Sequence, residues 1–571
     1  MKNYLAAISP RVGLLFLVLA CLLPFVNKAV YIDDTLFLRT AEQIQKHPLD
    51  FYGFQINWYD RTLPMVNCTE NPPLASYYLA LVASLAGWSE VTFHLAFLLV
   101  AWLAVWGTYL LARNYCRQPL LATVIAVLTP AFMVSATTLM CDVMLLAFWV
   151  WALVYFERGL QKKGAAVEFA VAGCLAGLAV WTKFFGLGLV PLLAVYGLVR
   201  HRRAGWWLLA PGLPLLFAAG YEWAGLTLYG HDVFFSAAHF AAKSREASLA
   251  QLGEKLFVGL VFLGGCYLPG LFYLPGLWRR WALLAGPCLV AVGMLFIPHL
   301  LTFAWVMWNP DGSLNWLVFL TAAVLAVGGG YVLLLALNDF WNRRDAVSLF
   351  LLLWFMGVVV FTIGVNWTIN GRSLLPGVPV LGILVVRRLE LATAKLEARR
   401  RWRLFLPLLP AGAIALLAAG GDYEAAGIFK TAAKELLAQY QQPGRTLWFQ
   451  GHWGFQYYLE QGGGKPMEET VSALQSPPVP VQAGDILVVP AQEQEDAFIK
   501  QRAQYRLLVV KTNFLHCPVV TMNPAAGAAF YASKLGPFPF AVTRIQPQCF
   551  WVYQCSSTPS NSPPGSGPLS K

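Results

Sequence analysis

The chain reads as a polytopic α-helical membrane protein with a small C-terminal α/β domain. Three features predict this: an excess of apolar residues, apolar stretches of spanning length, and basic clusters at alternate connections. Of its 571 residues, 58% are hydrophobic and only 12% are charged, and the mean hydropathy is +0.57. A water-soluble core cannot hide that much apolar surface, so lipid must be the solvent for most of it. A spanning helix needs about 20 apolar residues, and residues 12–30, 92–111 and 348–365 supply such stretches. The first is expected to persist as a span. Pro24 and Phe25 lead into Asn27, Lys28 and Tyr31 with no small-x-small cleavage pattern.

The formal net charge of +12 does not point to nucleic acid, because the basic residues occur as short clusters between apolar segments. Arg113 with Arg117, Arg158 with Lys162 and Lys163, Arg200 with Arg202 and Arg203, Arg279 with Arg280, Arg343 with Arg344, and the run 387–403 recur at every second connection. By the positive-inside rule these mark the cytoplasm. The intervening connections, among them residues 31–73, 230–255, 302–315 and 367–373, then face outward. The alternation holds along the chain with about thirteen helices. Residues 73–87 are apolar but short and begin at a proline, so they are expected to form an interfacial or re-entrant helix.

After a last span at residues 404–419 the composition changes. Residues 1–420 are therefore read as the membrane domain and 421–555 as a soluble domain on the outer face. Short β-type runs at 446–449, 485–489, 505–511 and 550–554 suggest an α/β or α+β module. The tail 556–571, rich in Ser, Pro and Gly, is expected to be disordered. Four of the ten cysteines, Cys68, Cys517, Cys549 and Cys555, fall outside the spans on the oxidising side. Cys549 and Cys555 are spaced to close a small hairpin. No CxxC or His-rich metal signature is present.

The informative residues are ionisable groups at the outer ends of spans, where a charge is costly and usually faces protein, water or substrate. Asp33 and Asp34 follow the first span, Asp142 is placed about one turn inside its span, Lys183 opens another, and Arg372 opens the twelfth. Glu70 precedes Pro72 and Pro73, and His231, His239, Lys243 and Arg245 lie in a later outer loop. A carboxylate base beside cations that stabilise a phosphate leaving group is the minimal kit for group transfer from a phosphate ester. Structural readings stand beside this one. Asp33 and Asp34 are also good helix caps, and Lys183 and Arg372 also suit snorkelling anchors.

The stretch Y31-I-D-D-T-L-F-L-R-T-A-E-Q-I, followed by E70-N-P-P-L-A-S-Y-Y-L, resembles the first outer loop of the GT-C glycosyltransferases. The resemblance is to family 39, the protein O-mannosyltransferase and aminoarabinose transferase group. T138-L-M-C-D-V-M-L-L-A-F-W, G177-L-A-V-W-T-K-F-F-G and G371-R-S-L-L-P-G-V-P resemble further segments of that family in the same order. The resemblance implies a GT-C fold and inverting transfer of a sugar from a polyprenyl-phosphate carrier to an acceptor hydroxyl on a lipid, glycan or protein. It places the reaction on the periplasmic face of a bacterial inner membrane. It implies Asp33 as catalytic base, Asp34 as its assistant or an acceptor contact, and Lys183 and Arg372 on the carrier phosphate, with Asp142 and Glu70 also at the substrate. Glu70 and, more loosely, His239 match positions that in some relatives touch a divalent metal ion or the donor. Asn71 stands where aminoarabinose-type relatives carry Lys, so phosphate contacts or donor identity differ there. The segment G451-H-W-G-F-Q-Y-Y is read either as a source of aromatic acceptor contacts or as core.

Two other classes were weighed. A secondary transporter also needs intramembrane charges, but near the midplane and often in two related halves. A catalytically silent scaffold with a sensing module would leave Asp33 dispensable.

Overall fold

The computed structural model describes residues 9–58, 61–69, 71–243, 249–278, 304–309, 311–392, 398–467, 481–490 and 505–555. Among these, six helices are long and apolar enough to cross a membrane: Glu90–Tyr115, Asp142–Gln161, Phe184–His201, Trp316–Arg343, Ala346–Val365 and Trp402–Tyr440. The pair Leu252–Cys266 and Leu268–Leu277, bent by 84°, makes a seventh if taken as one span. Apolar helices at Pro10–Phe25, Leu74–Ala86 and Ala166–Thr182 are shorter. Among the described residues, then, the full-length helices are fewer than the thirteen spans expected and are joined by several short or broken ones, with residues 279–303 outside the described set. Chain chemistry explains the breaks. The first helix tightens into a 3-10 turn at Leu23–Phe25, with Pro24 inside it, and Lys28 turns inward instead of continuing the span.

The basic clusters fall at helix C-termini: Arg113, Arg158, Arg200 and Arg343 lie in the last turns of their helices. Cationic side chains are favourable there because they face the negative end of the helix dipole. At the same end Arg387 is buried and forks onto Asp339, Nη2 to Oδ2 at 2.9 Å. A charge inside a helix bundle survives only when paired in this way. Asp142 is the first residue of its helix, not one turn inside it as the sequence suggested, because the chain from Ala136 to Cys141 is a series of turns.

The C-terminal part contains a five-stranded sheet in the order Lys465–Pro466, Leu447–Phe449, Ile486–Pro490, Gln546–Cys555, Tyr505–Leu515. The first three strands run parallel to one another and the last three pair antiparallel. All four β-type runs expected from sequence are strands of this sheet. Cys549 and Cys555 both lie on the strand Gln546–Cys555, about 20 Å apart along it, so they do not bridge to each other to close a hairpin, and Cys549 is a free thiol. Cys68 and Cys517 are also free. The expected disordered tail, 556–571, lies outside the described residues.

No loop separates sheet from membrane part at residue 420. A single helix, Leu408–Tyr440, runs through that boundary. It carries glycine at the crossing because a Cβ on Gly421 would fall 1.9 Å from the Val519 carbonyl oxygen. At the very next residue the packing is held by charge. Lys28 and Asp422 form an ion pair with neither side chain exposed. Asp422 also accepts from Thr521 Oγ1 and, at 2.7 Å, from Tyr531 Oη. Lys430 reaches Glu90 at 2.6 Å, Arg39 reaches Glu460 at 2.6 Å, and Gly371 N–H donates to the Phe530 carbonyl at 2.8 Å.

Removing one member of a buried ion pair leaves the other uncompensated, at a cost of about 3–5 kcal/mol. The variant Asp422→Ala should therefore show a large fall in thermal midpoint in detergent. The double variant Lys28→Met, Asp422→Leu should recover most of that loss, because an apolar pair leaves no buried charge.

Candidate functional site

Four charged residues from separate parts of the chain meet at the ends of helices opposite the basic clusters. Asp33 occupies the N-cap position of the helix Asp34–Lys46, yet its side chain makes no capping hydrogen bond. Its Oδ2 instead lies 3.0 Å from Arg372 Nη1, with the Asp33 side chain 27% exposed. Arg372 begins the 3-10 turn Arg372–Gly377 and also packs its guanidinium over the Tyr531 ring, 5.3 Å from the centroid. Burial works against the Arg372 charge, but Asp33 and Asp142 acting together hold its pKa above the ordinary value. Asp142 in turn accepts from Lys183 Nζ at 2.8 Å. Its other oxygen, Oδ2, is buried without a partner. The result is an alternating set, Asp33, Arg372, Asp142, Lys183, in which each cation is neutralised by a carboxylate. Neither Arg372 nor Lys183 is a snorkelling anchor, and Asp33 is not a side-chain cap.

Asp34 is different. Its side chain is completely buried, with Oδ1 accepting from the Leu139 N–H at 2.9 Å and Oδ2 from the Tyr31 N–H at 3.2 Å. Both oxygens are committed to backbone, so Asp34 ties the first loop to the turn before Asp142 and presents nothing to a substrate. Burial pushes its carboxyl up to about 7, against the lowering effects of Lys28 and the two backbone donors.

Lys183 lies between the helix Ala166–Thr182 and the turn Phe184–Gly188. Its side chain is 18% exposed, and it lines a cavity of about 650 Å³. The walls come mainly from the helices Phe184–His201 and Ala346–Val365, through side chains such as Phe184, Phe185, Leu192, Trp354, Met356 and Phe361. The Phe185 and Phe361 rings stack 3.8 Å apart and join the two helices. Among the described lining residues Lys183 is the one charged side chain, and Asn71 and Asn366 add amides. An apolar pocket with one cation in its wall suits an amphiphile with a long hydrocarbon chain and an anionic head.

Glu70 lies outside the described residues. His239 is exposed on the helix Val233–Lys243, a helix that borders the cavity through Phe234 and Ala237. Among the described residues no three His, Cys, Asp or Glu side chains converge on a metal position.

Sequence reading missed Lys28, Asp422 and Tyr531; Tyr531 packs against Arg372 and is held in turn by Asp422, the partner of Lys28. The one available signal was the cost of a charge inside an apolar stretch. Lys28 was absorbed into the end of the first span and Asp422 into a polar helix. The segment from Gly451 is largely core: Phe455, Tyr457 and Tyr458 are buried.

The family model for dolichyl-phosphate-mannose-protein mannosyltransferase matches residues 70–220. No curated protein matches the chain by sequence. Among solved structures the chain is similar to ArnT from Cupriavidus metallidurans bound to undecaprenyl phosphate. The identity is 14% and the TM-score 0.54, over 87% of this chain and 95% of that one. It is also similar to the archaeal oligosaccharyltransferase AglB from Archaeoglobus fulgidus in complex with an inhibitory peptide and a dolichol-phosphate. There the identity is 14% and the TM-score 0.48, over 83% of this chain and 65% of that one. The chain has the GT-C glycosyltransferase fold.

The raised pKa of Asp34 has a definite sign. The folded protein keeps this proton at a pH where the unfolded chain, with an ordinary value of ~3.9, has released it. The stability it contributes is complete below about pH 4 and is lost as the pH rises through about 7. Thermal midpoints measured from pH 5 to pH 8 should therefore fall less steeply in Asp34→Asn than in the wild type.

Proposed function

We propose that this chain is a membrane glycosyltransferase that moves a sugar from a polyprenyl-phosphate carrier to an acceptor hydroxyl. The observation that carries the reading is the apolar cavity lined by Lys183, whose ammonium joins the charge set that ends at Asp33. Two features of similar proteins support it: the solved ArnT structure holds undecaprenyl phosphate, and the family model is named for a dolichyl-phosphate-linked donor. In this reading the isoprenoid chain occupies the cavity and its phosphate displaces Asp142 and Asp33 from their cations.

The chemistry is a single displacement. The acceptor oxygen forms a bond to the anomeric carbon as the bond from that carbon to the phosphate oxygen breaks. The acceptor proton passes to the Asp33 carboxylate, and the charge that develops on the leaving phosphate is met by Lys183 and Arg372. Attack from the face opposite the leaving group inverts the anomeric centre. Each cation contributes more here than in water, because the site lies against apolar walls. Asp34 holds the loop that presents Asp33, and Asp142 keeps Lys183 oriented while the carrier is absent. The placement of the basic clusters supports a non-cytoplasmic position for the site and the C-terminal sheet, in this reading the periplasmic face of a bacterial inner membrane. A transporter would place its ionisable groups near mid-membrane, whereas these four sit at helix ends.

The test is transfer of labelled sugar by purified protein from a panel of polyprenyl-phosphate sugars. Asp33→Asn should fold normally and lose about 10²–10⁴-fold in kcat, the range for a general base. Equal turnover in both proteins would remove Asp33 from the chemistry, and no transfer from any donor would overturn the reading. Lys183→Gln should lose about 10²–10³-fold in kcat, comparable to loss of one oxyanion donor.

A further inference from the structure

Among the described residues four non-glycine residues have positive φ: Ile32 at 48°, Arg202 at 57°, Arg344 at 49° and Trp453 at 64°. Arg202 and Arg344 are helix C-caps, where the left-handed conformation is routine. Ile32 and Trp453 are not. Ile32 is β-branched, buried, and immediately precedes Asp33. A branched side chain at positive φ is a true outlier that persists only where the surroundings over-determine it.

Those surroundings are on the other side of a single contact. A Cβ on Gly454 would fall 2.0 Å from the Val30 carbonyl oxygen, so the helix Trp453–Gln461 lies directly against the turn, and the strained Trp453 is the residue that starts it. The Val30 N–H donates to Tyr458 Oη at 2.8 Å. The Tyr458 hydroxyl has one proton, which goes to Glu90 Oε1 at 2.9 Å, and Lys430 holds the same oxygen at 2.6 Å. The hydroxyl is thus oriented with its lone pair toward Val30. From behind, the Tyr31 ring stacks on Phe429 with centroids 6.1 Å apart.

We propose that Gly454 and Tyr458 are positioning residues that clamp the Val30–Ile32 turn in its left-handed form and so aim Asp33 at the reaction site. The assignment rests on the reading of Asp33 as general base. The clamp acts through backbone geometry. If the turn relaxes to negative φ, the Asp33 carboxylate swings away from its place beside Arg372, while the carrier cavity and Lys183 are untouched. Loss of the clamp therefore acts on kcat and leaves KM for the lipid donor unchanged, because misplacement of a reacting group by about 1 Å is felt in the chemical step.

Two variants disturb the same turn from different atoms: Tyr458→Phe removes the acceptor for Val30 N–H, and Gly454→Ala pushes against the Val30 carbonyl. Each should lower kcat per folded enzyme by about tenfold or more with KM for the polyprenyl-phosphate sugar unchanged. Adding Ile32→Gly to Tyr458→Phe should restore most of the kcat, since glycine adopts positive φ at no steric cost. A merely structural contact would lower the yield of folded protein, leave kcat alone, and gain nothing from the added glycine. Wild-type kcat in both single variants, with the wild type active, overturns the proposal and leaves the glycosyltransferase reading standing. Hydrogen exchange in detergent provides a readout that needs no turnover. Tyr458→Phe should accelerate exchange in the peptide covering residues 28–34 by about tenfold, as expected for a local opening that has lost its hydrogen bond. If the wild type transfers no sugar, the functional reading fails, and unchanged exchange in that peptide overturns the clamp by itself.

Discussion

The ion pair between Lys28 and Asp422 is the contact on which the arrangement of this protein depends. Both side chains are fully buried, and two charges out of water are stable only with close pairing and further hydrogen bonds. Thr137, Thr521 and Tyr531 supply those bonds, and the Lys28 carbonyl is held by His94 at 3.1 Å. The pair therefore draws together the end of the first helix, the turn before Asp142, the long helix Leu408–Tyr440 and the loop that bears Tyr531. Of these, the turn before Asp142 and the loop that bears Tyr531 both touch Arg372, through Met140 and the Tyr531 ring. Breaking the pair would separate the site into its sources, not merely weaken one helix contact.

The charge set is electrically balanced within the protein, and this fits its proposed work. A bare arginine or lysine at the rim of an apolar cavity would be costly to fold. Asp33 and Asp142 hold Arg372 and Lys183 in place, and on the proposed function an anionic head group then takes over as partner. Exchange of one anion for another at fixed cations needs little reorganisation, which is the condition under which electrostatic stabilisation is most effective. On the proposed function, Asp33 becomes available as a base as the phosphate engages Arg372. Neighbouring carboxylates thus have opposite assignments: Asp33 is partly exposed and faces a cation, and Asp34 is buried and faces backbone.

Much of this was legible in the sequence, because lipid makes charge expensive. That single rule selected Asp33, Asp142, Lys183 and Arg372, along with Asp34, Glu70 and the ionisable residues of the 231–245 loop, and the structure brings the first four together. The strands were legible from their β-branched and aromatic runs, although the sheet order, with parallel and antiparallel pairs mixed, was not. What escaped were partnerships between distant residues. Nothing near Lys28 announces Asp422, and an acid in a polar-looking helical stretch reads as solvated until the helix is seen to continue from the membrane part. Asp34 could not be told from Asp33 by type, since the difference lies in the Leu139 and Tyr31 N–H groups that claim it. The left-handed turn at Ile32 was hidden for a related reason: isoleucine is among the last residues a local reading would place there.

The central claim is that the cavity and the charge set form one site for a polyprenyl phosphate. A cryo-EM map of the purified protein with a polyprenyl phosphate added tests it most directly. The account predicts isoprenoid density between the helices Phe184–His201 and Ala346–Val365, with phosphate density within hydrogen-bond reach of Lys183 and Arg372 and the Asp142–Lys183 contact opened. A lipid bound elsewhere on the protein, with the cavity empty and both ion pairs intact, would contradict it.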